Sequence, residues 1–286
     1  MKARAGAALD AGDALLNCPR LAFGSRKSFP ISAGAWIVPV TGVVLFLLFW
    51  DVAIRAGKAP LLPGPLAVVG AIAELLRKGF LFKHVVASLF RVTWGYLLAV
   101  VVGVPLGILL AIHRRLGLAL APLVEILRPI SALAWIPLAI LWFGVGDAAA
   151  VFIIFVASSL PLTVAAMSAV RHVSETHWNA GRNFGLTRRQ AALRVLLPAI
   201  LPRLLVGLRL ALGVAWLVVV AGEMIAVNSG LGFLIIDARN AGNRYDLVVA
   251  GMVLIGTIGL ALDVIMRRLE RLRALQWAYA GSEGAP

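Results

Sequence analysis

The sequence predicts an all-α integral membrane protein of about six transmembrane helices, and three observations predict it. Hydrophobic residues make up 61% of the 286 and charged residues 14%, against roughly half and a quarter in a soluble domain. The mean hydropathy is +0.95. Apolar runs recur near 35–54, 85–112, 118–142, 148–170, 206–227 and 247–266, each close to the about 20 residues a helix needs to cross the hydrocarbon. Lipid leaves backbone groups no outside partners, and these runs are too long for barrel strands, so each reads as a helix.

The elements follow in chain order. Residues 1–34 carry Lys2, Arg4, Arg20, Arg26 and Lys27 and read as a cytoplasmic tail. The run from Gly34 to Ile54 is too long for the apolar centre of a signal peptide and lacks a cleavage site, so 35–54 reads as an uncleaved first span. Residues 55–84 read as an outer turn and an interfacial helix. Pro63 and Pro65 around Gly64 set the turn. From there Val68, Val69, Ile72, Leu75 and Leu76 recur at helical spacing, with Glu74, Arg77 and Lys78 opposite. Residues 85–266 hold the other five spans, and 267–286 a second cytoplasmic tail.

The net charge of +14 belongs to the membrane topology rather than to a nucleic acid. Most of the 27 Lys and Arg fall in the N-terminal tail, the His113-Arg114-Arg115 turn, the 171–203 loop and the C-terminal tail. Six spans with both ends inside place all four in the cytoplasm. The 143–147 turn and the 228–246 loop then face out. Residues 55–84 dissent, carrying Arg55, Lys58, Arg77, Lys78 and Lys83 on the outer side. No basic stretch is interleaved with the aromatics of a nucleic-acid motif. Cys18 stands alone, which excludes an intrachain disulfide and a cysteine-built metal site.

The 171–203 loop is far longer than a connection between spans needs, which points to a task. Ser174 is a plausible N-cap for a short helix that stops before Gly185. Thr187 and Gln190 make a capping box for a second helix, which Pro198 bends or ends. Trp178, Phe184, Leu186 and Leu193 hold this pair of helices near the membrane face. A rigid basic knob of this kind suits docking onto a soluble partner; the plainer reading is an interfacial helix pair facing lipid headgroups.

The spacing Asn179-Ala180-Gly181, Gly185, Val195-Leu196-Leu197-Pro198 resembles the EAA motif of ABC importer permeases: E-A-A, three residues, G, nine residues, I-x-L-P. Ala180, Gly185, Leu197 and Pro198 match it, whereas Asn179 replaces the Glu, Gly181 the second Ala and Val195 the Ile. A contact made by that Glu therefore does not carry over. Further resemblance lies in Leu62-Pro63-Gly64-Pro65, in Ser88-Leu89-Phe90-Arg91-Val92-Thr93-Trp94-Gly95, and in Gly222-Glu223-Met224-Ile225 leading to Asn228-Ser229-Gly230-Leu231-Gly232. These are similar to the nitrate, sulfonate and taurine branch.

The resemblance covers about 55–275 and implies a type I ABC importer permease architecture, with the permease core at 85–266. It implies a coupling helix near 175–184 seated on a cytoplasmic ATPase. The implied partners are a second copy of the chain, two ATP-binding subunits and an extracytoplasmic binding protein. The implied location is the bacterial inner membrane, and the implied cargo a small anion: a sulfonate or taurine, or nitrate. No cofactor is expected on this chain, because no phosphate-binding G-x-x-x-x-G-K-[ST] loop occurs in it. ATP and Mg belong to the partner, and the chain is not expected to be an enzyme.

Candidate site residues are the charges within or near the spans. Glu125 and Arg128 are spaced to pair at i+3, and Asp263 and Arg267 at i+4. Glu223 has Arg91, Arg209 or a loop arginine as partners, or stabilises a closed outer gate; an internal partner is favoured over substrate contact. Arg91 reads as an interface anchor that snorkels outward. Arg91 and Arg128 are also the cations able to ease an anion's transit. Trp94, Trp135 and Trp142 read as belt residues, with a pathway lining as the alternative. Pro105, Pro129, Pro137 and Pro161 kink or interrupt spans. The rival classes are an ion-coupled secondary transporter, for which no carboxylate pair is spaced, and a membrane enzyme, for which His172 and His177 lack a nucleophile at workable spacing.

Overall fold

The computed structural model describes residues 37–57, 62–174, 183–240 and 242–270, and every regular element among them is helical. By its contacts the chain divides at Val52 into two units. The described part of the first lies in α1 (Ile37–Gly57), a 21-residue apolar helix. The second unit holds all the remaining helices.

Gly64 precedes α2 (Pro65–Arg77), with Pro65 in the first turn, where its missing N–H costs nothing. Its buried face is Val68, Ala71 and Leu75, and that face packs on α3 (Phe80–Ile112) and α10 (Tyr245–Glu270). The helix expected to lie on the membrane surface is therefore docked on the bundle, leaving Val69 and Leu76 exposed. Gly79, at φ +70°, turns α2 directly into α3. The second span thus begins five residues before the apolar run suggests.

At 33 residues, or about 50 Å at the helical rise, α3 outspans the hydrocarbon. Its partner is α6 (Asp147–Arg171), and small residues set the spacing between them. A Cβ added to Gly95 would lie 2.6 Å from the Ile154 Cβ, and one added to Gly103 would lie 2.7 Å from the Ser159 carbonyl oxygen. Such glycines let two backbones approach in lipid, where helix association depends on close packing. The long helix α8 (Leu197–Ala226) completes the core, joined to α3 by the Tyr96 hydroxyl donating to the Leu208 carbonyl at 2.9 Å. It is joined to α10 by the Trp216 indole N–H donating to the Ile255 carbonyl at 3.1 Å.

The third expected span, 118–142, is not one helix. α4 (Arg114–Leu127) and the segment formed by a 3₁₀ turn (Ala132–Trp135) and α5 (Ile136–Phe143) are bent by 89° at a four-residue break. Pro129 has no N–H to carry the ladder on, and the helix ends there, although Arg128 itself keeps helical dihedrals (φ −58°, ψ −44°). The described chain therefore has five helices able to cross a membrane, or six if the bent pair counts as one span.

Two further differences concern α8 and the 228–246 loop. Arg188–Ala191 (α7) runs through a π turn at Ala192–Leu196 into α8, so Pro198 does not end the helix. The wider turn re-routes the hydrogen bond that Pro198 cannot make. The loop contains a ten-residue helix, α9 (Leu231–Asn240), with Leu231, Leu234, Ile235 and Ala238 buried against α8 and α10. In the 171–203 loop the glycine turn is present, Gly185 having φ +67°. The capping box is present too: the Thr187 amide donates to the Gln190 side chain at 3.0 Å, and the Gln190 amide to the Thr187 hydroxyl at 3.4 Å. Phe184 is 83% exposed and Leu193 56%, so neither anchors this turn to the chain's own core. Asn179, Ala180, Gly181 and Trp178 lie outside the described residues.

Candidate functional site

One face of α3 carries His84, Ser88 and Arg91, at the i, i+4, i+7 spacing that stacks side chains along a helix. That face meets Glu223 near the end of α8, the 227–230 turn, and Asp147 at the start of α6. Arg91 is 2% exposed and Glu223 fully buried. The Arg91 guanidinium donates through Nη1 to Glu223 Oε1 at 2.7 Å and to the Ser229 carbonyl at 2.7 Å. Nη2 meets the Ser229 hydroxyl and Asp147 Oδ1, and Nε donates to Asp147 at 2.8 Å. The guanidinium thus makes four hydrogen bonds and a further Nη2–Asp147 ion contact.

Glu223 is as fully engaged. Its Oε2 accepts from the Ser88 hydroxyl at 2.9 Å and from the Gly232 amide at 3.0 Å. Ser88 in turn accepts from the Leu231 amide at 2.9 Å, and His84 Nδ1 accepts from the Gly230 amide at 3.1 Å. These amides belong to the turn before α9 and to its first residues, where helical N–H groups lack internal partners. A carboxylate placed there also meets the positive end of the helix dipole. Gly230 (φ +106°) and Gly232 are required, because a Cβ on either would run into the Glu223 side chain.

Arg91 is therefore no outward-snorkelling anchor. Snorkelling reaches water only when the side chain points off the bundle, and α3 turns this one inward. Of the partners open to Glu223 the structure selects Arg91; Arg209 instead binds Glu270 at 3.0 Å and sits 3.7 Å from Asp263. The Asp263–Arg267 pair forms at 2.7 Å. The Glu125–Arg128 pair does not: among the described residues neither has an ion-pair partner. Arg128 follows the last residue of α4 with its backbone still helical, but the two exposed side chains border different cavities. Glu125 lines a cavity of about 430 Å³ with Arg114 and Arg171, at the opposite end of α6 from Asp147.

Arg128 borders a different cavity, of about 260 Å³, with Trp135, Leu160, Pro161 and Val214 in its wall. Trp135 thus lines a cavity, whereas Trp94 (51%) and Trp142 (57%) are exposed as belt residues are. A third cavity, of about 370 Å³, lies beside the Arg91 cluster and is lined by Glu74, His84, Asn228, Asp237 and Arg244 among others. Arg244 ties the end of α9 to α2, bonding Glu74 at 2.7 Å and Asp246 at 2.8 Å. The bonds from Arg244 and then Lys78 hold the Glu74 carboxyl below its ordinary value of 4.5. Those from Asp246 and Glu74 raise the Arg244 guanidinium above its own.

Sequence reasoning missed Asp147 and the individual roles of Ser88, Ser229 and His84. Two of these stand inside the motifs that carry the family resemblance. Asp147 gave no sign beyond being the acidic first residue of a helix.

Comparison with known proteins bears on what this bundle is. Residues 103–274 match the family described as binding-protein-dependent transport system inner membrane component. The taurine transport system permease of Escherichia coli is 34% identical over 257 residues, covering 87% of this chain and 92% of that protein. The bicarbonate transport system permease of Synechococcus elongatus is 34% identical over 247 residues, covering 82% and 88%. An inward-facing crystal structure of the MetNI methionine ABC transporter has a chain of the same fold, with a TM-score of 0.61 at 22% identity over 68% of this chain and 96% of that one. The chain belongs to the family of binding-protein-dependent transport system inner membrane components, the membrane-embedded permease subunits of ABC importers.

Proposed function

We propose that this permease passes a small anion-bearing solute, a sulfonate or taurine before nitrate, across the bacterial inner membrane. Relatives whose names specify taurine and bicarbonate, both carrying an anionic group, support that class. The permease works as a pair of copies with two ATP-binding subunits, which hold ATP and Mg, and an extracytoplasmic binding protein that delivers the solute. Both tails face the cytoplasm, residues 55–84 and the α9 end face out, and 35–54 and 85–266 supply the spans. The 171–203 loop is the ATPase-coupling element, with Asn179, Ala180, Gly181, Gly185, Val195, Leu197 and Pro198 in its motif.

The observation that carries the mechanism is the buried Arg91–Glu223 pair. It joins α3, α6, α8 and the start of α9 at one end of the bundle, which suits an outer gate held shut by charge-assisted bonds. Closure of the ATPases would push on the coupling loop, rock the two copies and transfer these bonds to new partners as the path opens outward. Arg128 belongs to the path itself. The test is uptake of labelled taurine and bicarbonate by the purified complex in proteoliposomes. Uptake should need ATP inside and survive an uncoupler. Uptake that persists without ATP and collapses with the uncoupler refutes the reading and favours an ion-coupled carrier.

A further inference from the structure

We infer that Arg128 forms an anion-coordinating subsite halfway across the membrane, built for the oxyanion group of a small solute. The inference rests on the importer reading above and adds where along the path the charge is met.

Two long helices place the Arg128 cavity at mid-depth. Val156 to Pro161, across the cavity, fall around the middle of Asp147–Arg171. Val214 and Val218 fall near the middle of Leu197–Ala226. In this wall Arg128, an exposed residue of the single chain, is the charged side chain, and the rest of the lining is aliphatic residues, Pro161 and Trp135.

A guanidinium at this depth is costly, and such residues persist where they face a pathway or a partner. Among the described residues Arg128 has no ion pair, in contrast to Arg91, which is paired with both Asp147 and Glu223. Its planar fork matches two oxygens of a sulfonate, carboxylate or bicarbonate. The cavity of about 260 Å³ lies below the ~300–1,000 Å³ of pockets for drug-sized ligands, so it suits a small solute. The 89° break makes the subsite available, since an unbroken helix would leave no gap for the side chain to border. Ser131, accepting the Leu133 amide at 3.3 Å, fixes the turn that follows.

The test uses the complete complex in proteoliposomes, with Cys18→Ser removing the native thiol and Arg128→Cys providing a new one. Labelled taurine and bicarbonate are the probes. Arg128→Cys should lower solute moved per ATP hydrolysed about tenfold or more, the worth of one charge-assisted bond. A cationic aminoethyl methanethiosulfonate should restore it severalfold, and the anionic sulfonatoethyl reagent should not. Glu125→Gln should transport as the unaltered protein does. The inference is overturned by transport indifferent to the charge at 128, or by a Glu125→Gln defect equal to that of Arg128→Cys, which makes Arg128 half of an ion pair between copies. It is overturned equally if both Arg128→Cys and Arg128→Lys lose their co-purifying subunits, because the residue then serves assembly. If the unaltered complex moves neither solute with ATP, the importer reading fails first, and that failure is separately visible.

Discussion

Glu223→Gln is the most informative single change to the buried cluster. The substitution keeps the shape and one acceptor oxygen but removes the charge facing Arg91 and places an NH₂ group among donors. Both partners are essentially without solvent, at 2% and 0% exposure, so screening does not soften the loss. Breaking a buried pair on one side costs about 3–5 kcal/mol. Asp147 still faces Arg91 at 2.7 Å from a largely exposed position, which places the expected cost near the lower end, about 3 kcal/mol. The Gly232 amide, 3.0 Å from Oε2, reads that cost locally. If opening of the 227–232 turn is what exposes it, hydrogen exchange there should accelerate by about 100-fold, while exchange in the middle of α3 changes little. A cycle with Arg91→Gln should show the double variant less destabilised than the sum of the singles by about 2 kcal/mol, because the two residues share one network. Exchange at Gly232 unchanged within a few-fold, or single costs that simply add, would refute the reasoning.

Other consequences follow from the same geometry. Ser88→Ala should cost about 1–3 kcal/mol, seen as a lower unfolding midpoint in detergent, since it strands the Leu231 amide that Ser88 accepts at 2.9 Å. Gly103→Val should strongly reduce folded yield by gel filtration, whereas Gly42→Val should not; the added Cβ meets the Ser159 carbonyl at 2.7 Å in the first case and nothing in the second. The Glu74–Arg244 link should weaken in acid. Glu74 titrates below its ordinary 4.5 in the folded chain, so its contribution is complete above that value and lost as pH falls through the lowered one. Exchange at the α2–α10 contact should therefore rise as the pH falls through that lowered value, and Glu74→Gln should remove that dependence.

What the sequence determined by itself is local or solvent-driven. Apolar length against bilayer thickness places the spans, and backbone satisfaction in lipid makes them helices. Gly185 and the Thr187–Gln190 box act within one turn, so short-range chemistry predicts them, as it does the Asp263–Arg267 pair. The same local logic fails for Glu125 and Arg128, where the i+3 spacing is right and the backbone helical through Arg128, yet the two exposed side chains border different cavities. It also fails for α9, whose polar and apolar residues read as a loop until α8 and α10 supply the walls that bury Leu231, Leu234 and Ile235.

Tertiary structure alone decided the charge cluster. Arg91 and Glu223 lie 132 positions apart, and Asp147 is 56 positions from Arg91. Each could have faced lipid, water or another helix. Which way a side chain points from a long apolar helix depends on the helix's rotation, and that rotation is set by its packing against neighbours. Here Gly95, Gly103 and Gly107 press α3 onto α6, and that contact turns Arg91 inward to the carboxylate waiting for it.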